Sequence, residues 1–141
     1  MRRLSKKSLW NSSSVQQDIG LLLLRLGVGL PMLVHHGMPY LMHFDEEAAR
    51  FLPLWGLDSG STLALALVAE VGAAAFMVVG LFTKLASLAM AIAMAVAFVM
   101  VHGARFDGEQ SGELAFLYLV GSAALSIMGP GRFAWDHHCS S

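Results

Sequence analysis

Apolar residues in this chain run in long blocks separated by short polar turns, instead of alternating or recurring only on one helical face. Four blocks stand out, at about 19–42, 61–82, 85–103 and 112–128. A hydrocarbon core roughly 30 Å thick takes about 20 apolar residues of helix, so each block is long enough, or nearly so, to cross it. The pattern predicts an all-α integral membrane protein. The connection at Thr83-Lys84 is short enough to force its flanking helices antiparallel, which predicts an up-down-up-down bundle of four transmembrane helices filling one domain over residues 1–141. Arg25 interrupts the first block after six residues and no small-residue cleavage site follows, so that block reads as a retained helix and not a signal peptide.

Composition agrees with this class. Hydrophobic residues make up 56% of the 141 positions and charged residues 13%, and the mean hydropathy is +0.62, far too apolar for a soluble domain. The charges outside the blocks set an orientation. Arg2, Arg3, Lys6, Lys7, Lys84 and Arg132 fall on one side and only Arg50 and Arg105 on the other, which predicts both termini in the cytoplasm. The basic cluster near the N-terminus suits contact with anionic lipid. The opposite loops are acidic, carrying Asp45, Glu46, Glu47, Asp58, Asp107 and Glu109. Within the longer of them, Phe51, Leu52, Leu54 and Trp55 around Pro53 suit the membrane interface, where the segment would lie on the bundle as a lid.

Ionisable residues inside the apolar blocks are the candidates for chemistry. A carboxylate such as Glu70 costs on the order of 2.5–3.5 kcal/mol at the bilayer centre, so it must pair, protonate or face water. In the first block Arg25, Gly29, Met32, His36, Tyr40 and His43 recur every three or four residues and stack on one helical face. Counted at 1.5 Å per residue, His36 lies roughly 10 Å and Glu70 roughly 13 Å below the outer helix ends. His102 ends the third block and Glu113 begins the fourth. Glu70, His36, His102 and Glu113 are therefore the expected catalytic group, converging on one cavity open to the outside, with Arg25, His35 and Tyr40 as expected cofactor contacts.

Plainer readings stand beside these. Arg25 and Glu70 would equally form an ion pair that locks the bundle, His36 would equally donate to a backbone carbonyl, and His102 and Glu113 would equally reach the interface. Met90, Met94 and Met100 read as gap-filling side chains, not as a metal path. Glycine and alanine clusters, such as Gly27, Gly29 and 72–75, let helices approach closely.

Five segments in order resemble the DoxX family of small membrane proteins. Leu24-Arg-Leu-Gly-Val-Gly-Leu30 and His36-Gly-Met-Pro-Tyr-Leu41 are similar to its first helix, and Glu70 with Gly80-Leu-Phe-Thr-Lys84 to its membrane glutamate and following turn. Ala97 to His102 resembles the end of its third helix, Glu113-Leu-Ala-Phe-Leu-Tyr118 the start of its fourth, and Gly129-Pro-Gly-Arg-Phe-Ala-Trp-Asp136 its closing motif. Tyr40 stands where the family usually has lysine, and Ala134 where it usually has serine. The resemblance implies a four-helix protein of the bacterial cytoplasmic (inner) membrane associated with redox chemistry, in the neighbourhood of quinol oxidases and thiosulfate:quinone oxidoreductases. A polar membrane cavity of this kind also suits a proton-coupled lipophilic carrier such as a quinone, and a redox partner subunit or a homo-oligomer is the expected partner. A non-catalytic scaffold, and a haem or metal protein using His36 and His102, are the other readings.

Other signals point nowhere further. Asp136-His-His-Cys139 spells a palmitoyltransferase signature, but those enzymes need more cysteines and the chain has one, which also rules out an internal disulfide. No phosphate loop, nucleophilic triad or nucleic-acid surface is visible.

Overall fold

The computed structural model describes residues 14–108 and 111–136, and every regular element among them is helical. Helix α1 spans Ser14–Met42, a short α2 follows at Phe44–Ala48, and α3, α4 and α5 span Ser59–Val79, Thr83–Val101 and Glu113–Met128. By length and composition α1, α3 and α4 can each cross a membrane. The 16 residues of α5 reach about 24 Å at 1.5 Å per residue, short of the roughly 30 Å core. Arg2, Arg3, Lys6, Lys7, Glu109 and the His137-His138-Cys139 tail lie outside the described residues.

The four long helices pack in cyclic order, α1 on α3, α3 on α4, α4 on α5 and α5 back on α1. Their shared core is Leu21, Val28, Met32, Ala73, Ala74, Met77, Met90, Met94, Tyr118 and Leu125. Met90 and Met94 are buried as filler, whereas Met100 is exposed. The opposite faces are apolar too: Leu23, Val68, Ile92 and Ile127 are 58–80% exposed, the pattern of a bundle whose solvent is lipid and not water. Gly29 sits where α1 meets α3, and a Cβ there would lie 2.7 Å from Val78 Cγ2.

The turns correct the sequence reading in detail. Helix α3 stops at Val79 and not at residue 82, because Gly80 takes a left-handed φ of 79°. Phe82 is also left-handed, at φ 48°, and Thr83, expected in the turn, opens α4. At the other end of α3, Asp58 caps the helix by accepting from the Ser61 amide (3.0 Å) and hydroxyl (2.6 Å). Those bonds from Ser61 hold the Asp58 carboxyl below its ordinary range.

Three helices are widened into π turns, at Met32–Gly37 in α1, Val68–Gly72 in α3 and Ala97–Val101 in α4. The first two pack against each other, so close that a Cβ on Gly37 would lie 2.8 Å from Val71 Cγ2. A π turn accommodates an extra residue, worth about 100° of rotation at 3.6 residues per turn, and such turns concentrate at functional sites. Of the face expected through residues 25–43, Met32, His36 and Tyr40 stay together across the π turn, whereas Arg25 turns to the C-terminal segment and His43 is exposed.

Arg25 is the largest correction. Its side chain is 1% exposed, but it points away from Glu70. Nη1 donates to Pro130 O at 2.9 Å and Nη2 to Phe133 O at 3.1 Å. A Cβ on Gly80 would come within 2.7 Å of Nη1 and 2.8 Å of Ala134, so Arg25 is level with Gly80. Ten residues of helix, roughly 15 Å, separate that level from Glu70, beyond an arginine's reach.

The same C-terminal segment is gripped twice more. Asp18 Oδ1 accepts from the Arg132 amide at 3.0 Å. Asp136 accepts from the amides of Phe82 (2.7 Å) and Thr83 (2.8 Å), capping the first turn of α4, and its own amide donates to Gly80 O at 2.9 Å. Partial burial pushes the Asp136 carboxyl up, but the two amides and the Arg25 charge outweigh it and hold it below the usual carboxylate range. Residues 130–136 thus form a clasp between α1 and the α3–α4 turn.

Candidate functional site

A cavity of about 270 Å³ lies at the level of the π turns, away from the clasp. Its floor and sides are apolar, from Met32, Leu63, Leu67, Met94 and Ala115. Set into them are His36, Tyr40, Glu70, His102 and Tyr118. His36 is carried by the π turn of α1 and Glu70 by that of α3. His102 follows the π turn of α4, and its amide donates to Ala97 O at 3.0 Å, five residues back. Each widened turn therefore delivers one ionisable side chain to the same chamber.

Aromatic rings close two sides. His36 meets Tyr118 edge-on with centroids 6.1 Å apart, and Tyr40 meets Phe51 edge-on at 6.4 Å. Phe51 belongs to the connection expected as a lid and does line the chamber.

Glu70 and His36 make no hydrogen bond or ion pair with another described residue. Both side chains line the chamber instead. In an apolar surround this leaves donors and acceptors to be satisfied by water, by protonation or by a polar ligand.

The structure does not bring every expected residue here. His36, Glu70, His102 and Tyr40 line the chamber, and Arg25 is held in the clasp. His35 points outward and is exposed, because neighbouring helical positions face about 100° apart. Glu113 is exposed and does not line the chamber. The wall beside it is built by Ser111, Leu114 and Ala115. Tyr118 is the functional candidate the sequence reading passed over. It is 9% exposed on α5, and its signal was the spacing Leu114, Ala115, Tyr118, one helical face. Among the described residues no group of three or more His, Cys, Asp or Glu side chains is arranged to hold a metal ion.

No curated protein and no solved structure matches the chain. The sequence model of the DoxX family matches residues 20–103, a stretch that holds Arg25, His36, Tyr40, Glu70 and His102, while Glu113 and the 129–136 motif lie beyond it. With more than half of its length matched and a multi-pass helical membrane fold around it, the chain belongs to the DoxX family.

Proposed function

We propose that the protein is the quinone-binding subunit of an oxidoreductase in the bacterial inner membrane. The chain forms one four-span domain with both termini cytoplasmic and the chamber opening outward. The observation that carries this reading is the chamber itself: a carboxyl, two imidazoles and two phenols around an apolar floor, in a bundle whose helices are exposed on their apolar outer faces. A quinone ring asks for such a place. Its carbonyl oxygens need hydrogen-bond donors, which His36, Tyr40 and Tyr118 supply, and its reduction takes up two protons with two electrons, which makes titratable groups at the ring useful. Glu70 and His102 are the groups placed to hand protons on. The electrons come from a redox partner subunit. A pure scaffold would leave these polar side chains unexplained, since an apolar filling would be easier to insert.

Saturable binding of menadione to the protein in lipid nanodiscs tests the reading. Glu70→Gln and His36→Ala are expected to weaken binding about tenfold each, about 1.4 kcal/mol. A wild-type protein that binds no quinone saturably would overturn it. Orientation is tested separately: a cysteine at Asp107, with Cys139→Ser, is expected to react with an impermeant maleimide added to intact cells.

A further inference from the structure

A second cavity, of about 330 Å³, opens between α3 and α4. Its walls are almost wholly apolar. Leu65, Ala69, Ala89, Ile92, Ala93 and Val96 line it, and Leu54 and Trp55 of the α2–α3 connection stand over one end. Leu65 and Ile92 are 49% and 58% exposed, so this groove faces the bilayer.

The groove adjoins the polar chamber. Phe51, Ala66, Glu70, Ala97 and Val101 line both, and Glu70 is the one ionisable side chain on the shared wall. Small-molecule sites occupy roughly 300–1,000 Å³. The chamber alone falls below that range and the groove alone barely enters it, whereas the two joined sit within it. A polar room and an apolar corridor meeting at one carboxyl form a site for an amphiphile, its ring in the chamber and its chain in the groove.

Resting on the quinone reading above, we propose that the groove between α3 and α4 binds the polyprenyl chain of the quinone and is the lateral route by which that quinone enters from the bilayer. Alanines at 66, 69, 89, 93 and 97 flatten the facing helices, leaving room for a methyl-branched chain. The π turns at Val68–Gly72 and Ala97–Val101 lie where groove and chamber meet. The carrier therefore never leaves lipid with its tail.

Menadione and its geranylgeranyl-bearing counterpart, titrated into wild-type and variant proteins in nanodiscs, separate this inference from the reading it rests on. Wild-type protein is expected to bind the tailed quinone at least tenfold tighter than menadione. Ala93→Phe fills the groove and is expected to remove that advantage while menadione still binds. Leu65→Trp, at a half-exposed position that tolerates bulk, should do the same if Ala93→Phe fails to fold. Equal affinity of wild-type protein for the two quinones overturns the inference and leaves quinone binding intact. So does a photoreactive residue at position 93 that captures phospholipid but never the tailed quinone. Absence of any quinone binding by the wild type is the failure of the underlying function instead.

Discussion

At the clasp, buried charge is matched to backbone: Arg25 faces the carbonyls of Pro130 and Phe133, Asp18 the amide of Arg132, and Asp136 those of Phe82 and Thr83. In the chamber, Glu70 and His36 face space. Both regions place ionisable side chains within an apolar bundle, which is costly. The clasp recovers that cost inside the fold, so its charges act as structure. The chamber leaves Glu70 and His36 without a hydrogen-bond partner among the described residues, which is why the proposed ligand is placed there. A polar residue in a membrane helix is thus read by asking what its hydrogen-bond partners are.

The contrast breaks most visibly at Arg25. Arg25→Met orphans two carbonyls and is expected to destabilise the fold by about 3–5 kcal/mol, the scale of breaking a buried charged contact. Thermal unfolding in detergent checks this, and menadione affinity per folded molecule should not change. Gly80→Val is next. It forces a left-handed residue, costing about 1–2 kcal/mol, and drives a Cβ toward Arg25 and Ala134, so a clear loss of stability is expected without loss of ligand binding.

Glu70→Gln should do the reverse. Having no partner among the described residues, the carboxyl can be neutralised with a stability change under about 1 kcal/mol, while quinone affinity falls. A large stability loss would move Glu70 into the structural class and erase the comparison.

The smallest effect is that of pH on the clasp. Asp136 is held below its unfolded value, so its contribution is complete above about pH 4 and is lost as pH falls through the lower, folded value. Asp136→Asn should flatten that acid limb of the stability profile. A profile unchanged by the substitution would remove Asp136 from the clasp.

Three helices were legible as membrane-crossing from block length, whereas the fourth block forms a helix of 16 residues, short of that length. That His36 and Glu70 lie level with each other was legible too, since 1.5 Å per residue is a fixed ruler. Azimuth was not. Glu113 has the right height on α5 and the wrong direction, and the π turns, which rotate everything beyond them, leave no trace in a spacing rule built on 3.6 residues per turn. The clasp was hidden for another reason. Its partners are backbone atoms 53 to 114 residues away, and a backbone amide or carbonyl looks the same at every position of a sequence.

That separation bears on how the protein is made. Arg25 and the carbonyl of Pro130 lie 105 residues apart, an interval that translation at 5–20 residues per second covers in roughly 5–20 s. Throughout it the guanidinium, already delivered with the first helix, must be held by water or lipid phosphate near the membrane surface. Final seating of α1 therefore waits for residues 130–133, and a ribosome that stops before residue 130 leaves the Arg25 guanidinium without these two carbonyls.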